Sequence, residues 1–121
     1  MSLKANIRLA ESAARTATTT FTVDDNNLSN GKFIVSITAG AGAPTVTISI
    51  DGYDPTSKTW YNILTSAALA ANAVTTYSIG DKTPAAANVS AEDFLPEKFR
   101  VVATKSDGTA ITYSIGVNLS D

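Results

Sequence analysis

Three groups of side chains in this chain have the types and spacing that chemistry needs. Asp51 and Asp54 bracket Tyr53. Two carboxylates flanking a cleft can divide acid and base work between them in glycoside hydrolysis. Asp51-Gly52 and Asp54-Pro55 are also ordinary turn steps, and turn chemistry is the favoured reading. Asp24, Asp25, Asn26 and Asn27 form an oxygen-rich run. Calcium takes about six to eight oxygen ligands, but this run lacks the Gly and the distal Glu of an EF-hand loop, so it reads as a solvated turn. Tyr53, Trp60 and Tyr61 could form an aromatic platform for a sugar ring or a protein partner, because Trp and Tyr concentrate at binding hot spots. Alternatively, Trp60 fills the core and Tyr61 faces out.

Two absences remove whole chemistries. The chain has no Cys and no His, so thiol nucleophiles, disulfides, zinc-thiolate sites, Ser-His-Asp triads and imidazole acid-base catalysis are excluded. The stretch Ala39 to Pro44, AGAGAP, lacks the Lys and the following helix of a phosphate-binding loop. The expectation is a protein that is no enzyme and uses no metal and no cofactor. Eleven acidic residues against nine basic ones, net charge -2, argue against nucleic acid as a partner, since that binding rests on cations neutralising phosphates. Lys82, Lys98, Arg100 and Lys105 are scattered and read as cations that keep strand edges soluble. No apolar run approaches the roughly 20 residues of a membrane span. Lys4 and Arg8 interrupt the start, where a secretory signal would need a longer apolar stretch. Synthesis in the cytoplasm is expected, with no membrane partner.

Strands must position these groups. The 121 residues fit one domain, and 44% hydrophobic with 17% charged residues is the composition of a folded chain. Apolar and polar residues alternate with period two over Thr18–Val23, Lys32–Thr38, Thr45–Ile50, Thr59–Leu64, Val74–Ile79, Phe99–Thr104 and Ala110–Leu119. Asn30-Gly31 and Asp107-Gly108 suit tight hairpin turns, the second more strongly. Asp51 to Lys58 reads as a turn-rich loop. Asp81 to Lys98 is the long connection, with a short helical turn near Ser90 to Phe94 suggested by a capping-box-like pattern. Ala67 to Ala73 reads as a loop or sheet-crossing segment. The sequence TYSIG occurs at Thr76–Gly80 and again at Thr112–Gly116, as matching strands of two sheets would. The expected fold is all-β: a β-sandwich of about seven antiparallel strands, immunoglobulin-like, with a jelly roll as runner-up. Residues 16–121 form the sandwich, and residues 1–15 an N-terminal arm or first strand. Leu3, Ile7 and Leu9 alternate along that segment, and an exposed arm of this kind adds to a neighbouring sheet edge.

The run ISIDGYDPTSKTWYNILTSAAL, followed by VTTYSIG, FLPEKFRVVAT and ITYSIGVNL, resembles small structural proteins of tailed bacteriophages. The elements that carry the likeness are Asp54-Pro55-Thr56 with Trp60 to Leu64, Leu95-Pro96 with Phe99 to Val102, and Tyr113 to Leu119. The resemblance covers the chain from about Ser12 onward, and its motifs are structural. It implies a virion component, foremost a capsid decoration protein on the outside of the head shell. The partners would be the major capsid protein or other virion proteins, with the chain itself a homo-oligomer. A neck or tail structural protein and a carbohydrate-binding β-sandwich module are the alternatives. In these readings the interface residues are Leu3, Ile7, Leu9, Tyr53, Trp60 and Tyr61.

Overall fold

The computed structural model describes residues 4–40, 44–70 and 72–121. Leu3 and residues 41–43 of the AGAGAP connection lie outside the described residues. Among the described residues nine strands form two sheets. The first sheet contains β1 (Lys4–Arg15), β3 (Asn30–Gly40), β6 (Ala73–Gly80), β7 (Ser90–Glu92) and β9 (Ile111–Ser120) in the order β1-β9-β3-β6-β7. The second contains β2 (Thr19–Val23), β4 (Val46–Asp54), β5 (Thr59–Thr65) and β8 (Phe99–Lys105) in the order β2-β8-β4-β5. Period-two alternation gives each sheet one apolar face, and burying the two faces together makes the sandwich. Phe33, Val35 and Ile37 of β3 lie beside Val117, Ile115 and Tyr113 of β9. Opposite them stand Val46, Ile48 and Ile50 of β4 with Phe99, Val101 and Ala103 of β8, all nearly or fully buried. Phe33 and Phe99 meet edge to face at 6.0 Å across the two layers.

The sandwich is present, with the runner-up's connectivity. In the immunoglobulin arrangement several consecutive strands pair as hairpins within one sheet. Here β4 and β5 are the one consecutive pair joined within a sheet by a short turn, and the other main strands pass alternately between sheets. Setting aside the short β7, the eight remaining strands pair β1-β9-β3-β6 against β2-β8-β4-β5, the order of a jelly roll built from two Greek keys. Asp107-Gly108 therefore turns the chain from one sheet to the other instead of closing a hairpin, and the Asp107 carboxylate accepts a hydrogen bond from the Thr109 N–H at 2.8 Å. Asn30-Gly31 begins β3 and is no turn. A Cβ on Gly31 would stand 2.5 Å from Leu95 Cδ1, so the glycine lets the Leu95 side chain pack close against β3. The two TYSIG copies lie in one sheet, on either side of β3.

Ser90 to Glu92 forms a strand, not a helical turn, and runs parallel to β6. A capping box would need the Ser90 hydroxyl to accept from the turn that follows. It donates instead to Pro84 O at 2.7 Å. The N-terminal segment is β1, an edge strand paired along β9 from Lys4↔Ser120 to Arg15↔Ile111 with two register shifts. Ala10 is buried, and Ile7 and Leu9 pack half-buried against the core. They are thus core-flanking residues of a sheet and not the exposed contacts of an arm.

Candidate functional site

The loops at one end of the sandwich are tied to one another. Buried Asn26 donates from Nδ2 to Leu28 O at 2.7 Å and to Pro96 O at 3.1 Å, while its Oδ1 accepts from Leu28 N at 3.0 Å. The Asn26 N–H donates to Glu97 O, and Leu95 N–H to Ser29 O. The Asp24 to Asn27 run is thus a structural turn whose amide pins the β2–β3 and β7–β8 connections together. Among the described residues no cluster of three or more His, Cys, Asp or Glu could hold a metal ion.

Those loops frame the β4–β5 hairpin, where Tyr53 and Trp60 face each other across the strands. Their rings lie 4.9 Å apart at 61°. Both stand on the outer face of the second sheet. The reason is a bulge in β5: Ile50 pairs with Leu64 but Asp51 pairs with Asn62, leaving Ile63 as the extra residue. An extra residue reverses the side of every residue beyond it. Leu64 points into the core, and Tyr61, three positions earlier, shares the row of Gly52 and Phe99. Trp60 is turned out, so it does not fill the core. A Cβ on Gly52 would lie 2.5 Å from the Tyr61 ring and 2.9 Å from Pro96, so glycine at 52 is what admits Tyr61. At this open end Tyr61 remains 40% exposed. Burial raises its pKa, helped by the nearby charges of Asp93 and Asp54.

Two cations cover the outward rings. The Arg100 guanidinium lies 4.4 Å over Trp60, and Lys98 Nζ stands 4.6 Å from the Tyr53 centroid and 5.7 Å from that of Trp60. Each such contact contributes about 0.5–1 kcal/mol at an exposed site. Arg100 Nε also donates to Asp51 Oδ2 at 2.9 Å, and Asn62 Nδ2 to Asp51 Oδ1 at 3.1 Å. Lys98 pairs with Asp24 at 3.7 Å. Asp51 and Asp54 are therefore engaged separately: Asp51 is a buried partner of Arg100, and Asp54 closes the hairpin turn, accepting from Thr56 N at 3.0 Å and from Ser57 Oγ at 2.7 Å.

Beside this cluster lies a groove of about 440 Å³, walled by Tyr53, Pro55, Phe94 and Pro96 with Asp24, Glu97 and Lys98 at its margin. Phe94 is 57% exposed. It carried no signal in the alternation because it sits in a loop. Its neighbours in sequence, Asp93 before it and Pro96 two residues on, mark an irregular segment but not which residue faces out, since Leu95 next to it is buried. The structure thus gathers Tyr53, Trp60 and Tyr61 at one end with Phe94 and Arg100. Ile7 and Leu9 belong to the far edge strand of the other sheet.

Three solved structures share the fold. A chain of the infectious bursal disease virus structure, Gx strain, aligns with 99% of this chain and 33% of its own length at 11% identity and a TM-score of 0.50. A chain of the T13 infectious bursal disease virus particle aligns with 98% of this chain and 31% of its own at 9% identity and a TM-score of 0.51. Latent PorU from Porphyromonas gingivalis aligns with 99% and 13% at 14% identity and a TM-score of 0.53. This chain spans about a third of the length of the two viral chains. No protein-family model and no curated protein matches it.

Proposed function

We propose that this chain is a non-enzymatic structural protein of a tailed-bacteriophage virion, placed on the outside of the head shell, and that its aromatic end is a protein-docking surface. The observation that carries the docking reading is the outward cluster of Tyr53, Trp60, Arg100 and Phe94 beside an apolar groove. Aromatic rings and Arg dominate hot spots because they bury large area at low conformational cost. The jelly roll recurs in viral capsid proteins, and a fold shared with chains of a virus particle supports the virion reading, as do the phage-like motifs from Asp54 to Leu119.

The test is quantitative mass spectrometry of gradient-banded phage particles, with copy number counted against the major capsid protein. Comparable copy numbers are the expected result. A few copies per particle would move the protein to the neck or tail, and absence would end the virion reading. A Trp60→Ala, Phe94→Ala variant should fold yet lose its place on the particle. One observation favours a second reading, a carbohydrate-binding module: Trp60 stands outside the core. Sugar rings stack on a free aromatic face, and Arg100 already occupies one face of Trp60. Quenching of Trp60 fluorescence by soluble glycans would favour that module.

A further inference from the structure

The aromatic end and the outer face of the first sheet differ in charge and in relief. At the aromatic end Asp24 and Asp51 are matched by Lys98 and Arg100. That leaves Asp25, Asp54, Asp81, Glu92, Asp93 and Glu97 against Lys58 and Lys82, the β6–β7 connection lying beside Asp93. Phe94 projects from the middle of these carboxylates. The outer face of the first sheet has the opposite character. Asn6, Asn118, Lys32 and Ser78 stand side by side across four strands. Lys4 lies beside Ser120 in the next row, and Arg8 beside Gly116. The groove between these rows, about 420 Å³, is lined by Lys4, Lys32 and three Asn side chains. The acids on this face are Glu11, 3.9 Å from Arg8, and Asp121, whose backbone O accepts from Asn30. Where β1 bulges away, a hollow of about 490 Å³ opens over Ala10, Ile115 and Gly116, with Arg8 and Glu11 at its rim. A Cβ at Gly116 would meet nothing within 4 Å.

From this juxtaposition we infer that the acidic aromatic end of one copy docks on the cationic face of a second copy, with Phe94 seated in the hollow over Gly116. The inference rests on the docking reading of that end. The partner is named by complementarity of both charge and shape: a projecting ring among carboxylates, and an open hollow with Arg8 at its rim beside the groove that Lys4 and Lys32 line. Two different surfaces meet, so the contact is heterologous, and repeated copies close into a ring or continue as a chain. A standard interface takes about 800 Å² from each partner. The chain exposes 6488 Å², several times what two such surfaces take.

Sedimentation velocity of the purified protein over a concentration series, at low and at high salt, tests this. Self-association is expected, weakened about tenfold or more by high salt, since opposed charges across an interface are screened. Two variants break one surface each: Asp93→Asn, Phe94→Ala, Glu97→Gln, and Lys4→Gln, Arg8→Gln, Lys32→Gln. Circular dichroism melts confirm that both fold. Each alone should be monomeric, whereas an equimolar mixture should form a one-to-one dimer and stop there, because one intact junction remains. A wild-type monomer at every concentration overturns the inference, as do variants that associate like wild type or a mixture that stays monomeric. Because this assay uses no particle, its failure leaves the particle count standing, and the reverse also holds.

Discussion

Cations lie on aromatic rings in two places in this molecule, and the two places use the same contact differently. Inside, Arg15 spans the open edge between the sheets. Its guanidinium is 4.4 Å over Tyr113 and 5.5 Å over Phe21, and it donates to Tyr113 O and Glu11 O at 2.7 Å each and to Ala13 O at 3.3 Å. Outside, Arg100 and Lys98 cover Trp60 and Tyr53 but pair with carboxylates. Backbone carbonyls cannot leave, so Arg15 is a fixed strut. It ties β1 to β9 and occupies carbonyls of the edge strand that would otherwise invite another strand. The exposed Lys98–Asp24 pair exchanges readily with solvent or with a partner's charges, whereas buried Asp51 holds Arg100 in place. The same chemistry therefore gives rigidity where the acceptors are main chain or buried and adaptability where they are exposed side chains.

The largest expected effect follows from the inner region. Deleting Ser2 to Ala14 removes the strand that pairs along β9 and carries Ala10, Ile7 and Leu9. Total domain stability is about 5–15 kcal/mol, and the lost burial together with the exposed flank of β9 is of that order. We expect no cooperative thermal transition by circular dichroism. A deletion variant that keeps a sharp transition would make β1 an appendage and dissolve the contrast. Next in size, Arg15→Ala should cost about 2 kcal/mol, through lost hydrogen bonds to a part-buried carbonyl and lost packing on Tyr113. Lys98→Ala should cost less, about 1 kcal/mol, because its contacts with Tyr53 and Trp60 and its pair with Asp24 are all at the surface. Urea titrations of the two variants measure the difference, and equal losses would mean that the outer cluster is as structural as the inner one.

Much of the inner region was legible in the sequence. Alternation over β3, β4, β8 and β9 marks the inward residues directly, because a strand with one buried face repeats every two residues. The short aromatic run Thr59 to Leu64 misled for the same reason. Leu64 is in the core, and strict alternation back from it puts Trp60 inside. The bulge at Ile63 reverses that, and no residue type in the run announces it. Connectivity was hidden because alternation fixes which side a residue faces but not which strand lies beside it. Asp107-Gly108 has the composition of a hairpin turn, yet it serves equally well to cross between sheets. Arg15 was passed over because its partners, Tyr113 and Phe21, are distant in sequence, and a lone Arg near a chain start carries no pattern.

The smallest expected effect concerns the turn that presents the outer cluster. Hydrogen bonds from the Ser57 hydroxyl and the Thr56 N–H hold the Asp54 carboxyl below the usual carboxylate range. Lys58, at a φ of 59°, closes the same turn with its N–H on Asp54 O. A carboxyl whose folded pKa lies below its unfolded one stabilises the fold at pH values above the unfolded pKa, and that contribution disappears as pH falls through the folded pKa. Asp54→Asn keeps the shape and an acceptor oxygen but has no charge to lose. Melting temperatures of the two proteins should therefore differ most near neutral pH and converge in acid, below the folded pKa of Asp54. Asp107, whose carboxyl is also held low, by the Thr109 N–H, is present in both proteins and cancels in the comparison. A difference that stays constant down the pH scale would mean that the hairpin uses the shape of Asp54 and not its charge, and the turn would then hold Tyr53 and Trp60 equally well at any acidity.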